Sequence, residues 1–108
     1  MAKYADVSGY TPEEFQLWEQ LSSVQNETFY TTSGLPFTYS VRGNEIFVSR
    51  KNKSITRAAV NRAFFLAREE MRTCGCVRGP KRMDVFGSSY LYPIFLRIGV
   101  ISSSPAKK

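Results

Sequence analysis

Arg57, Asn61, Arg68 and Arg72 follow one another at intervals of four, seven and four residues. At about 100° per residue, that spacing gathers all four within about 60° on one side of a helix. A guanidinium can grip guanine O6 and N7 with two hydrogen bonds, and a carboxamide can do the same with the N6 and N7 of adenine. A helix face carrying these groups suits a major groove. Lys51, Lys53 and Arg57 surround the start of the same helix, where unpaired N–H groups and the positive dipole end favour a phosphate. Lys81 and Arg82, in the loop Gly79-Pro80-Lys81-Arg82, offer further phosphate contacts, and Arg50 opens the basic corner Arg50 to Lys53. Arg42, in the turn Arg42-Gly43-Asn44, adds a contact to the backbone or the minor groove. Phe65 on the outer half of the helix, with Phe47 and several Tyr, supplies rings on which unpaired bases can stack.

The same residues have plainer uses. Arginines on an outward helix face are commonly just solvated, and Phe47 and Phe65 can be covered by the N-terminal helix or the connector. The functional reading requires the basic corner, the helix start and the Pro80 loop to meet in space.

Charge is unevenly spread along the chain. From Arg42 to Arg82 there are eleven Lys and Arg against Glu45, Glu69 and Glu70, so this segment carries +8 while the whole chain of 108 residues carries +6. A field concentrated in that way attracts nucleic acid or an acidic protein surface.

Other chemistries find little support. There is no His, and the carboxylates fall mostly at helix starts and surfaces, so acid–base catalysis lacks its usual partners. Cys74 and Cys76 form a C-x-C pair with no further Cys, too close for an easy disulfide and too few for the usual zinc site. They are expected to be reduced thiols. The glycines match neither phosphate-loop pattern. The expectation is therefore no enzyme, no cofactor and no metal. The first twenty residues include Asp6, Glu13, Glu14 and Glu19, unlike a secretory leader. The most apolar stretch, Tyr90 to Ile101, is twelve residues long and contains Arg97, too short to span a bilayer. A cytoplasmic protein with no membrane role is expected.

The elements that position these residues follow from local signals. Thr11-Pro12-Glu13-Glu14 reads as an N-cap, a proline at the first helical position and acids in the first turn. It predicts a helix from Pro12 to about Val24, with Phe15, Trp18, Leu21 and Val24 facing the core. Phe37, Tyr39 and Val41 alternate with polar residues, and Ile46 and Val48 do the same after Gly43-Asn44. This predicts a hairpin with Val41 opposite Ile46 and Tyr39 opposite Val48. Ser54 is expected to cap a helix running from Ile55 to about Arg72, with Ala59, Val60, Ala63, Phe64 and Ala67 on its apolar half. Short strands at Cys76 to Arg78 and Arg82 to Phe86 would extend the hairpin to three or four strands. A last helix, capped by Ser88 or Ser89, reaches Ile98, with Pro93 near its start.

The sum is a small single α+β domain over residues 1–101, an antiparallel hairpin packed with three helices, followed by a flexible basic tail at 102–108. Its expected function is non-catalytic binding of nucleic acid, DNA ahead of RNA. The alternative is an interaction module or inhibitor that binds an acidic surface or the nucleic-acid channel of a partner protein. A homodimer with Phe65 and Tyr residues at the contact is a further expectation.

Overall fold

The computed structural model describes residues 12–43, 45–83 and 85–103, without the side chain of Arg82. It is an α+β fold. Helix α1 (Pro12–Ser23) leads into two short antiparallel strands, β1 (Phe29–Tyr30) and β2 (Pro36–Phe37). The hairpin β3 (Tyr39–Arg42) and β4 (Glu45–Val48), the long helix α2 (Arg57–Cys74), a 3₁₀ turn (Pro80–Met83) and helix α3 (Ser88–Ile98) follow.

The hairpin has the expected register: Tyr39 opposes Val48, Ser40 opposes Phe47 and Val41 opposes Ile46. Gly43 takes a positive φ of 62°, as a two-residue turn that matches strand twist requires. Tyr39, Ile46 and Val48 are buried, and Val41 packs against the same core. One face of the ribbon is thus closed by the helices.

Helix α1 presents Leu17, Trp18 and Leu21 to the core, with Phe15 and Val24 at its margin. Leu17 was not expected there: the stripe follows the i, i+1, i+4 positions around Trp18 rather than steps of three. Past its end, Asn26 adopts φ 71° and its N–H donates to the Tyr39 carbonyl at 2.8 Å. The Tyr39 hydroxyl in turn donates to the Leu21 carbonyl at 2.6 Å, satisfying one of the acceptors that a helix end leaves open. Burial raises the Tyr39 phenol well above its ordinary value of 10.0, with the Glu27 carboxylate adding to the rise and Arg97 opposing it. Its hydroxyl therefore remains a proton donor.

The connector between α1 and the hairpin is more ordered than its composition indicates. Phe29 pairs with Phe37 and Tyr30 with Pro36, around a turn closed by Thr31, whose hydroxyl accepts the Leu35 N–H at 3.0 Å. The Phe29 and Phe37 rings stack 5.8 Å apart, and Tyr90 of α3 meets Phe37 edge-on at 5.0 Å. These short strands are held by aromatic packing more than by their ladder.

Three expectations are corrected. The central helix begins at Arg57, capped by Thr56, whose hydroxyl accepts the Ala59 N–H at 3.2 Å. Ser54 does not cap it, because its hydroxyl donates to Glu45 at 2.5 Å. Ile55 is extended, exchanging N–H···O bonds of 2.8 and 2.9 Å with Ile46. That single bridge is what widens the hairpin. The strands expected at 76–78 and 82–86 are absent among the described residues: Pro80–Met83 is a 3₁₀ turn, and the Val77 N–H donates instead to the Ser102 carbonyl at 2.8 Å. Finally, α3 starts earlier than a Ser89 cap implies, with Gly87 at the N-cap. Pro93 thus sits two positions deeper and leaves the Ser89 carbonyl without its helical donor. Ser89 is exposed, so water can reach it.

The core joins all three helices: Val60, Ala63, Phe64 and Ala67 of α2 meet Leu91, Ile94 and Phe95 of α3, with Met83 and Val77 completely covered. The Tyr92 hydroxyl donates to the Val77 carbonyl at 2.7 Å, and burial, joined by nearby Cys76, raises its pKa. Ile101 is buried, so the chain is held to the core beyond α3. Among the described residues no helix is long and apolar enough to cross a membrane.

Candidate nucleic-acid interface

The cationic residues fall into two environments. The first is the outer face of α2. Asn61 is half-buried there, and its Oδ1 accepts the indole N–H of Trp18 at 3.1 Å. This carboxamide ties α2 to α1, which limits it as a reader of bases. Arg68 lays its guanidinium 5.4 Å from the Phe64 ring centre, and Arg72 donates to Glu69 one turn earlier. Phe65 is 59% exposed. A cleft of about 560 Å³ runs beside these residues, and its other wall is the acidic start of α1, Glu13 and Glu14. Arg57, at the opposite end of the helix, is half-buried. The four residues of the spacing argument therefore lie on one helix without forming one uniformly positive face.

The second environment is the corner between β4 and α2. Arg50, Lys51 and Lys53 are exposed. The Lys51 N–H donates to the Val48 carbonyl at 3.0 Å, which shapes the turn. The Arg50 Nε donates to the Pro36 carbonyl at 2.6 Å, anchoring one edge of its guanidinium while the other guanidinium N–H groups can still donate. The Lys53 ammonium lies 4.8 Å from the centre of the Phe86 ring, an attraction between the cation and the negative face of the π system. Phe86 is 42% exposed. Neither lysine forms an ion pair among the described residues.

What holds the loop against this corner is Gly87. A Cβ at that position would lie 2.4 Å from Ile55 Cδ1, and its φ of 85° is one that side-chain-bearing residues avoid. The glycine allows residues 86–87 to lie directly on the extended Ile55. The corner and the loop beyond the 3₁₀ turn therefore meet, while Lys81 is exposed on that turn. Arg82 belongs to the same turn by its backbone.

Arg42 stands apart from both, on the outer face of the hairpin. Its guanidinium covers the Phe47 ring at 4.8 Å, and a shallow groove of about 260 Å³ beside them is lined by Asn26, Ser40 and Ser49. Two functional candidates escaped the sequence reading: Phe86, which follows no periodic pattern, and the pair Glu13 and Glu14, whose role in the helix cap hid their position opposite Arg68 and Arg72. Among the described residues no cluster of His, Cys, Asp or Glu could hold a metal ion. Cys74 is exposed and Cys76 buried, both as free thiols.

No family model, curated protein or solved structure matches the chain. The class to which the protein belongs rests on its own fold and surface: a small α+β domain with an open basic corner and a separate cleft of mixed charge.

Proposed function

We propose that the protein binds nucleic acid without catalysing a reaction, and that the corner formed by Arg50, Lys51 and Lys53 carries the binding, with Lys81 and Arg82 extending it. DNA is the favoured target. The observation that supports this most is the Lys53–Phe86 contact, a cation beside an aromatic ring that is 42% exposed. Lysines would hold phosphates, and Phe86 would accept a base when Lys53 turns toward the backbone of a single strand. Arg42 with Phe47 repeats the combination on the hairpin.

Binding of labelled duplex and single-stranded DNA of mixed sequence, followed by anisotropy between about 50 and 200 mM salt, tests the proposal. Affinity should fall linearly on a log–log plot against salt. Lys51→Ala with Lys53→Ala should flatten that slope by about 2, one unit for each lost phosphate contact. Absence of any salt-sensitive binding to DNA or RNA overturns the assignment, and selective capture of one acidic protein would move it to the interaction class.

A further inference from the structure

The α1–α2 cleft plays no part in the corner's proposed role, and its chemistry is different. Its lining carries three carboxylates, Glu13, Glu14 and Glu69, against two guanidinia, Arg68 and Arg72. The charges are partly sorted: Glu13 and Glu14 lie at the start of α1, whereas Arg68 and Arg72 lie on α2, where Glu69 sits beside Arg72. Phe65, 59% exposed, and the partly buried Met71 line the same cleft from α2. A second depression of about 320 Å³ shares Glu13, Phe64 and Arg68 with the first and reaches Ile98 and Val100 at the end of α3. The two adjoin as one trough of mixed lining, more apolar beside Phe65 and Met71 and more polar beside Gln16 and Gln20.

We infer that this trough is a homodimer contact, in which a second copy of the chain lies across it about a two-fold axis. A two-fold contact must be self-complementary, each wall meeting the opposite wall of the copy. Sorted charges meet that condition: the Arg68 and Arg72 wall of one protomer faces the Glu13 and Glu14 wall of the other, twice over. Phe65 lines the same cleft from α2, and in the dimer its exposed ring is covered by the second copy and leaves water. The chain carries +6 overall, so a copy is repelled by much of the surface, whereas here the lining charges nearly balance. The Arg72–Glu69 pair does not stand in the way. It is exposed, with 69% and 43% of the two side chains accessible, and such pairs hold their partners weakly. An acidic peptide or a nucleic acid would find only one of the two walls attractive. The contact is limited to one face of α1 and α2, at the small end of stable interfaces, so dissociation in the micromolar range is expected.

Sedimentation velocity over about 1 to 500 µM, without nucleic acid, tests the inference. The mass should rise from 12.3 kDa toward twice that value, and Phe65→Asp should hold the protein monomeric with an unchanged melting curve. The variants Glu13→Arg/Glu14→Arg and Arg68→Glu/Arg72→Glu should each be monomeric, because both halves of each homodimer then repel. Mixed in equal amounts they should dimerise, because both halves become complementary. A wild-type protein that stays monomeric throughout, a dimer indifferent to Phe65→Asp, or a mixture of folded charge variants that fails to associate overturns the inference. Since Phe65 is exposed, its variant reads the contact even where reversal at the start of α1 weakens folding. Loss of the dimer would leave the corner's binding of DNA to be decided separately by the lysine variants.

Discussion

The corner at Arg50 to Lys53 and the cleft between α1 and α2 are built from similar side chains, cations beside aromatic rings, yet their surroundings differ. In the cleft, Arg72 pairs with Glu69, Arg68 lies over Phe64, Asn61 holds Trp18, and Glu13 and Glu14 face them across the gap. At the corner Lys53 has an aromatic neighbour, and neither Lys51 nor Lys53 forms an ion pair among the described residues. A cation's identity therefore says less about its ligand than the charges that share its face. A field that remains open at a surface attracts a polyanion, whereas in the cleft neighbouring carboxylates offset the arginines.

Substitutions can break that contrast at graded cost. Gly87→Ala should have the largest effect, lowering stability by about 2–4 kcal/mol, because it adds left-handed backbone strain to an overlap with Ile55. A urea titration measures the loss, and DNA affinity measured well below the unfolding midpoint should fall as the loop leaves the corner. Asn61→Ala should cost about 1–2 kcal/mol by leaving the Trp18 indole without that acceptor. If Asn61 chiefly read adenine, stability would stay level and DNA affinity would drop instead.

Tyr39→Phe should cost about 1 kcal/mol near neutral pH through the lost bond to Leu21. It carries a sharper signature at high pH. The Tyr39 phenol has a higher pKa folded than unfolded, so its contribution is fully present below the unfolded value near 10 and is lost as pH rises beyond it. Thermal melts of wild type against the variant should converge above pH ~10. Parallel curves would show that Tyr39 ionises as freely in the fold as outside it.

Legibility in the sequence followed the range of the interactions. The β3–β4 register could be read because alternation and Gly43-Asn44 act within ten residues, and the span of α1 because Pro12 and its acids act within one turn. Thr11 itself lies outside the described residues. The start of α2 could not be read correctly: Ser54 and Ile55 are claimed by Glu45 and Ile46 of the preceding strand, and local capping rules contain no term for that competition. The pairing of β1 with β2 was hidden because two-residue strands have no alternation to detect. The candidate site was legible in its cations and illegible in its grouping. Lys53 and Phe86 are 33 positions apart, and nothing local announces that Gly87 will lie on Ile55. The division of Arg68 and Arg72 from Lys51 and Lys53 depends likewise on where α1 rests.

The most direct measurement is a comparison of two double variants against the same labelled DNA at low salt, with folding verified by circular dichroism. Lys51→Ala/Lys53→Ala should weaken binding and reduce the salt slope by about 2, whereas Arg68→Ala/Arg72→Ala should leave the slope where it was. Equal losses from both pairs, or a loss confined to the arginines, would contradict the account.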